Sequence, residues 1–208
     1  MRITLIRHAQ SMGNRTGDYS HLQADSLSET GRGQAWNLAV NLASEPFDKI
    51  IVSPLARTLE TAVPYLERTD QYAEIWPEIA EMRWQKTHEP RADDWCRETC
   101  SPPSDLPERF TFYENRKIKP AATPPETNEE QRCRLYIAKE RILNLQRQGY
   151  ASVLFISHGI FVRELICALL NLPGALSFPT ENCAAHQLLY DEEEGWRVIY
   201  LNRLPALA

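Results

Sequence analysis

The N-terminal part of the chain alternates short apolar runs with a helical stripe of apolar positions. Residues 3–6 form an apolar, β-branched run that is typical of a buried strand, and residues 49–52 form a second. Residues 8–18 contain Ser, Asn and Gly and have the composition of a loop. From Thr30 onward, apolar residues recur at the spacing of one helix face, namely Ala35, Leu38, Ala39 and Leu42. The pattern predicts strand, loop, helix and strand in that order.

A second helical face follows the strand over 49–52, after a break at Ser53 and Pro54. Its apolar positions are Leu55, Leu59, Ala62 and Leu66. Pro64 lies inside this stripe and lacks the N–H that an α-helix needs at an interior position. We therefore expect Pro64 to kink or shorten the helix.

The clearest helix signal lies in the second half of the chain. Thr127 and Glu130 form a candidate capping box, and Gly149 suits the left-handed position that follows a last helical turn. The apolar stripe between them consists of Leu135, Ala138, Ile142 and Leu145. The residues that follow predict a strand over 151–156, a turn over 157–159 and an apolar helix over 160–170.

Two closing strands are predicted over 185–190 and 196–201, with the acidic run 191–194 and Gly195 as the hairpin between them. A connection this short pairs two strands antiparallel. The other strands alternate with helices, which is typical of a largely parallel sheet with helices on both faces. The predicted fold class is therefore α/β, a three-layer α/β/α sandwich with a mostly parallel sheet and an antiparallel C-terminal strand pair, in a single domain over 1–208.

Residues 82–126 interrupt the alternation of strands and helices. This segment holds half of the 14 prolines of the chain and no glycine. It is too aromatic for a simple disordered linker, since it contains Trp84, Trp95, Phe110, Phe112 and Tyr113. We interpret it as an irregular inserted cap over the edge of the sheet.

Charge and composition limit the kinds of partner. The formal net charge is −5, whereas nucleic acids and anionic membranes recruit net-basic domains. No apolar stretch approaches membrane-spanning length, the N-terminus shows no signal-peptide pattern, and the five cysteines are irregularly spaced, as free thiols in a reducing compartment are. We expect a soluble cytoplasmic protein that binds neither nucleic acid nor membrane, and its oligomeric state stays open.

Polar and charged side chains follow three of the predicted strands at the point where each ends. Arg7 and His8 follow the first, Ser53 and Arg57 follow the second, and His158 follows the strand over 151–156. Ligands of open α/β sheets bind beyond the carboxyl ends of the strands. Two guanidinium groups placed together repel each other unless an anion lies between them, and their planar forks match phosphate oxygens. The arrangement predicts a phosphate-binding site.

Several segments in chain order carry recognisable motifs. The first, over 5–14, begins Leu-Ile-Arg-His-Ala, and the others lie at 27–35, 53–62, 78–81, 157–159 and 182–202. Together they resemble the motifs of the histidine phosphatase superfamily, also called the phosphoglycerate mutase-like family. The resemblance covers most of the chain outside 82–126.

The resemblance implies a role for each matching residue. His8 is expected to be the phosphorylated nucleophile, and Glu81 matches the proton donor of the family. Glu78 is three residues away and is kept as the alternative donor, because the glycine that usually follows the acid is not evident after Glu81. The residues expected to bind the phosphoryl group are Arg7, Asn14, Arg57 and His158.

The same residues are chemically sufficient for phosphoryl transfer. A neutral imidazole is a usable nucleophile at neutral pH. Arginines can offset the charge that Mg²⁺ offsets in other phosphoryl-transfer sites, so no metal ion or other cofactor is expected. The predicted function is a metal-independent phosphomonoesterase that acts through phosphohistidine, with a phosphorylated small molecule as its substrate.

Two alternative functions remain open. A cofactor-dependent phosphoglycerate mutase would share the first half-reaction, but residues 83–89 match the continuation of the mutases poorly. A non-catalytic phosphate-binding module would be expected to lack one of the core residues, and all are present. Substrate choice is expected to depend on the inserted cap, which supplies Arg83, Trp84, Lys86, Arg91 and Trp95.

Overall fold

The computed structural model describes residues 1–18, 25–82, 108–112, 127–172 and 176–206. The strands are β1 (Arg2–Arg7), β2 (Lys49–Val52), β3 (Ala73–Ile75), β4 (Phe110–Phe112), β5 (Ser152–Ser157), β6 (Ala185–Asp191) and β7 (Gly195–Arg203). The helices are α1 (Met12–Thr16), α2 (Glu29–Leu42), α3 (Ala56–Thr69), α4 (Asn128–Arg147) and α5 (Gly159–Leu169). A 3₁₀ turn covers Pro77–Ile79.

The strands form one sheet in the order β4-β3-β2-β5-β1-β6-β7. The five strands from β4 to β1 run parallel to one another. β6 is antiparallel to β1, and β7 is antiparallel to β6. The prediction of a mostly parallel sheet with an antiparallel C-terminal strand pair is therefore confirmed.

Each face of the sheet packs against helices. On one face, Ile6, Val52 and Ile156 of the strands share a buried cluster with Leu38 of α2 and Leu59 of α3. On the other face, residues of the same three strands pack against α4 and α5, with Ile3, Ile51, Phe155, Ile142 and Phe161 among the buried members. Strand residues alternate between the two clusters because successive side chains point to opposite faces. The predicted three-layer α/β/α arrangement is confirmed.

The capping signals of α4 are present as the sequence predicts. The hydroxyl of Thr127 accepts the N–H of Glu130 at 3.2 Å, and the Glu130 carboxylate accepts the N–H of Thr127 at 2.7 Å. At the other end, Gly149 has a φ of +88°, and Tyr150 donates its N–H to the carbonyl of Leu145. Both ends of this helix are therefore fixed by local sequence.

The structure corrects two local expectations. Pro64 does not shorten its helix, since α3 runs for 14 residues across it. Tyr65 and Leu66 directly after it are buried, so that packing of the last turns offsets the missing backbone hydrogen bond. The expected loop over 8–18 contains the five-residue helix α1, capped at Ser11 by its own capping box with Asn14.

Strands β3 and β4 are not predicted by the hydrophobic pattern. Each has only three residues, too few to show a period. β4 falls inside the predicted insert and pairs with β3, so this part of the segment extends the sheet instead of forming irregular structure. Residues 83–107 and 113–126 of the insert lie outside the described residues, and the interpretation of one domain with an inserted cap stays a prediction.

Among the described residues, no helix combines the length and the apolar character that crossing a bilayer requires.

Candidate active site

Three adjacent strands end at the same level of the sheet. Arg7 at the end of β1 is in register with Ser157 at the end of β5, and Val52 at the end of β2 is in register with Ile156. The residues that follow are therefore brought together. These are His8 after β1, Ser53 after β2 and His158 between β5 and α5. The turn expected over 157–159 is reduced to His158, because Ser157 still belongs to β5 and Gly159 already begins α5.

His8 is buried and is held by both ring nitrogens. Its Nδ1 lies 2.7 Å from the carbonyl oxygen of Ala9, which requires the proton to be on Nδ1. Its Nε2 accepts a hydrogen bond from Nε of Arg57 at 3.1 Å. The neutral ring therefore directs the lone pair of Nε2 toward the guanidinium group of Arg57.

Arg57 lies in the first turn of α3 and is buried, with 4% of its side chain exposed. Besides His8, its guanidinium forms an ion pair with Asp25. Asp25 also accepts the backbone N–H of Ala56 at 2.9 Å, and this N–H begins α3. One carboxylate thus fixes both the start of the helix and the orientation of the guanidinium that the helix carries.

His158 is fully buried and faces His8, with ring centroids 5.2 Å apart. Its Nε2 lies 2.7 Å from the hydroxyl of Ser53. Its Nδ1 is buried and has no hydrogen-bond partner among the described residues. A buried ring nitrogen without a partner costs free energy unless a ligand satisfies it. A phosphoryl oxygen is such a ligand.

Arg7 completes the positive side of the site. Its Nη1 donates to the carbonyl of Thr180 at 2.7 Å, while its Nε is buried and unpartnered among the residues described. The side chain passes close to Gly159, where an added Cβ would lie 3.3 Å from Nε of Arg7 and 2.9 Å from the Thr180 hydroxyl. The absence of a side chain at Gly159 leaves the space that Arg7 uses.

Asn14 lies in α1, close to the backbone of His8. Its Oδ1 accepts the N–H of Ser11 at 3.2 Å and the side-chain amide of Asn182 at 3.3 Å. Asn182 also donates to the carbonyl oxygen of His8 at 2.8 Å. The carboxamide oxygen of Asn14 therefore orders the loop that carries His8, and a phosphate contact by Asn14 stays a prediction.

The two candidate proton donors lie in different surroundings. The carboxylate of Glu81 accepts the N–H groups of Met82 at 2.9 Å and Phe161 at 3.0 Å, with Ile160 at 3.4 Å, which places it at the N-terminus of α5 beside His158. Glu78 instead pairs with Arg141 of α4. The geometry favours Glu81, because Glu78 is engaged outside the cluster of His8 and His158.

Burial and neighbouring cations shift the pKa values of these groups. Burial, with Arg57 as the next cause, lowers the pKa of His8 and of His158 well below the ordinary value, so both rings are neutral at neutral pH. Burial raises the pKa of Glu81, although backbone N–H groups and Arg57 oppose the shift. The site therefore combines a neutral imidazole with a carboxyl group that keeps its proton to a higher pH than usual.

Two residues that support the site, Asp25 and Arg134, are not predicted from the sequence. Asp25 lies between the recognised motifs, and no local pattern marks a carboxylate that pairs with an arginine 32 positions away. Arg134 is one of many polar residues on α4, yet its guanidinium binds backbone carbonyls next to Glu81. Among the residues described, no group of three or more His, Cys, Asp and Glu side chains could hold a metal ion.

The sequence of this chain is similar to those of known phosphatases. The chain is 38% identical over 91 residues to the adenosylcobalamin/alpha-ribazole phosphatase of Salmonella typhi, a match that covers 42% of this chain and 45% of that protein, less than half of either. It is 27% identical to phosphoserine phosphatase 1 of Hydrogenobacter thermophilus over 97% of this chain and 92% of that protein.

The fold has solved counterparts. The crystal structure of a putative alpha-ribazole-5′-P phosphatase from Escherichia coli superposes with a TM-score of 0.71 at 22% identity, covering 99% of this chain and all of that one. At this identity the likeness concerns the fold. The sequence profile of the histidine phosphatase superfamily (branch 1) matches residues 3–203. The chain therefore belongs to the histidine phosphatase superfamily.

Proposed function

We propose that this protein is a phosphomonoesterase that works through a phosphohistidine on Nε2 of His8. The observation that carries the proposal is the pair of contacts on the His8 ring, in which Ala9 fixes the proton on Nδ1 and Arg57 marks the direction of the Nε2 lone pair. A fixed tautomer with its lone pair facing a buried cation is the arrangement that a nucleophile needs toward an anionic phosphoryl group.

In the first step, Nε2 of His8 attacks phosphorus while the bond from phosphorus to the leaving oxygen breaks. Arg57 exchanges its contact with His8 for a phosphoryl oxygen, and Arg7 supplies its unpartnered Nε. Glu81 gives its proton to the leaving oxygen, so that the alcohol departs neutral. The cations and the His158 ring stabilise charge on the equatorial oxygens.

In the second step, water attacks phosphorus of phospho-His8. The Glu81 carboxylate, deprotonated in the first step, takes a proton from that water, and the bond between nitrogen and phosphorus breaks. Inorganic phosphate leaves, and His8 regains its neutral form with the proton on Nδ1. Each residue thus returns to its starting state without a further reactant.

Trapping the intermediate tests this proposal. Rapid quenching with alkaline denaturant during turnover of an aryl phosphate should leave phosphate on the protein, and peptide mapping should locate it on His8. His8→Asn should abolish both the label and turnover, while EDTA should change neither. Label on His158 would reverse the roles of the two histidines, and a strict metal requirement would contradict the mechanism.

A phosphorylated small molecule is the proposed substrate class. Two relatives of this chain are an adenosylcobalamin/alpha-ribazole phosphatase and a phosphoserine phosphatase, which supports a small phosphomonoester as its substrate. A screen over sugar phosphates, phospho-amino acids and nucleotides, ranked by kcat/KM, tests it. A mutase assay with a bisphosphoglycerate should give only hydrolysis, and net transfer to a second acceptor would favour the mutase alternative.

A further inference from the structure

We propose that Arg134 of α4 is a positioning residue for the proton donor, Glu81. The inference rests on the proposed function, because it assigns a residue that acts through Glu81. It concerns a part of the molecule that the motifs do not include, since α4 lies outside the segments that carry the family resemblance.

The segment that carries Glu81 has little regular structure of its own. It consists of the 3₁₀ turn Pro77–Ile79 followed by three residues outside any helix or strand. Its position is therefore set by contacts from neighbouring elements. One comes from β5, where the Ser157 hydroxyl donates to the carbonyl of Ile79 at 2.6 Å. Others come from α4, and the N-terminus of α5 binds the Glu81 carboxylate.

Arg134 binds three carbonyl groups of this backbone. Its Nη1 donates to the carbonyl oxygens of Glu78 at 3.0 Å and Ala80 at 2.6 Å, and its Nη2 donates to the carbonyl of Glu81 at 3.1 Å. The planar guanidinium can hold several carbonyls in one fixed geometry, whereas a flexible ammonium group does so less well. The backbone on both sides of Glu81 is thereby fixed to α4.

The same guanidinium also contacts the residue that binds the Glu81 side chain. It lies over the ring of Phe161, with its central carbon 5.7 Å from the ring centroid. The backbone N–H of Phe161 donates to the Glu81 carboxylate. Arg134 therefore contacts both the backbone that carries the carboxyl group and the helical turn that orients it. Loss of this side chain should displace the carboxyl group relative to His8.

The rate of hydrolysis depends on a proton donor only when the leaving group is a poor one that must be protonated as it departs. The 4-nitrophenolate ion leaves readily without a proton, whereas an alkoxide does not. A misplaced donor should therefore slow the hydrolysis of alkyl phosphates and hardly affect aryl phosphates with a good leaving group. General structural damage would lower both rates together. This difference separates a positioning role from a role in stability alone.

The experiment compares kcat/KM for 4-nitrophenyl phosphate and for a simple alkyl phosphate, because kcat/KM reports formation of phospho-His8. Arg134→Met keeps the unbranched stem and removes the donors. We expect a loss of roughly 10- to 100-fold for the alkyl ester, within the range of general acid catalysis, and less than about 3-fold for the aryl ester. Arg134→Lys keeps an ammonium group that can donate to some of these carbonyls. It should therefore retain more activity toward the alkyl ester than Arg134→Met does.

Arg141→Met is the matched control. Arg141 lies two turns further along α4, contacts the side chain of Glu78 and stacks on Trp76 at 3.7 Å, so its removal also breaks an ion pair and a ring contact. It should affect both substrates equally. Glu81→Gln provides the reference for complete loss of the donor.

The outcomes separate the two proposals. If Glu81→Gln shows the leaving-group dependence and Arg134→Met does not, the positioning role is wrong and the proposed function stands. If Glu81→Gln shows no such dependence, the assignment of the donor in the proposed function fails. Leaving-group dependence in Arg141→Met instead of Arg134→Met would move the donor to Glu78 and overturn both assignments.

Discussion

At the scale of single residues, the site combines an imidazole that resists protonation with a carboxyl group that resists deprotonation. Burial is the first cause of both shifts, since it disfavours the charged form of each group. His8 therefore stays neutral at pH values below the ordinary pKa of histidine, and Glu81 keeps its proton above the ordinary pKa of glutamate. The proposed mechanism starts from this form, in which both groups are uncharged.

This arrangement predicts the shape of the pH profile. In the proposed mechanism we expect kcat/KM for an alkyl phosphate to fall on the alkaline side as Glu81 loses its proton. Glu81→Gln should lower the activity and flatten the alkaline limb, because glutamine has no proton to lose there. The substrate phosphate titrates equally in both proteins, so the difference between the two profiles isolates Glu81. An alkaline limb that persists in the variant would assign it to another group.

The residues of the site are predictable from sequence to different degrees. Arg7, His8, Arg57 and His158 follow strand ends, and this position together with their chemistry marks them in the amino-acid sequence alone. The choice between Glu81 and Glu78 depends on which carboxylate meets the N-terminus of α5. That contact joins residues about 80 positions apart and has no local signal.

At the scale of elements, helix α2 packs closely against the loop that carries His8. An added Cβ at Gly31 would lie 2.0 Å from the carbonyl oxygen of Gln10, while one at Gly33 would meet nothing within 4 Å. The carbonyl of Gln10 also accepts the N–H of Ser28 at 2.9 Å, so it cannot move away without losing a hydrogen bond. Gly31 therefore has no room for a side chain, whereas Gly33 of the same helix has.

Substitution of the two glycines tests this difference. Gly33→Ala should stabilise the protein by about 0.5–1 kcal/mol, because alanine has the higher helix propensity. Gly31→Ala should destabilise it by about 1–3 kcal/mol through overpacking and should lower activity by moving the loop of His8. Urea unfolding measures both changes. Equal free energies of unfolding for the two variants would show that the loop of His8 and Gln10 can move to accommodate the added methyl group at no cost.

Prediction of the elements succeeds where the pattern is long. Helix α4 has two capping signals and a 20-residue span, and strands β1 and β5 have continuous apolar runs. It fails for the short strands β3 and β4, whose place in the sheet depends on pairing with residues distant in sequence. The expectation that Pro64 shortens its helix is wrong because burial of the following turn outweighs the local propensity of proline.

At the scale of the whole molecule, buried histidines make stability depend on pH. His186 of β6 is fully buried, and burial lowers its pKa to about 4. The unfolded chain binds a proton at this residue below about pH 6.5, while the folded chain does not. Its contribution is therefore complete above pH 6.5 and is lost as the pH falls toward 4. His8 and His158 act in the same direction, and the raised pKa values of Glu60 and Glu81 oppose them.

We expect His186 alone to contribute about 3 kcal/mol to this loss between pH 6.5 and pH 4. His186→Gln removes the titrating ring and keeps an oxygen that can accept the N–H of Asn202, which His186 accepts at 3.2 Å. The free energy of unfolding, measured in urea across this pH range, should fall less steeply in the variant than in the original protein. If the two proteins lose stability equally between pH 6.5 and pH 4, the pH dependence comes from groups other than His186.

The position of β1 in the sheet also bears on how the protein comes to be folded during synthesis. β1, which His8 follows directly, is made well before β5 and β6, its two neighbours in the sheet. Until β5 and β6 have been made, this interior strand has no partner in the sheet, and such long-range pairing is slow. The surroundings of His8 are therefore completed only after β5 and β6 have been translated, long after His8 itself.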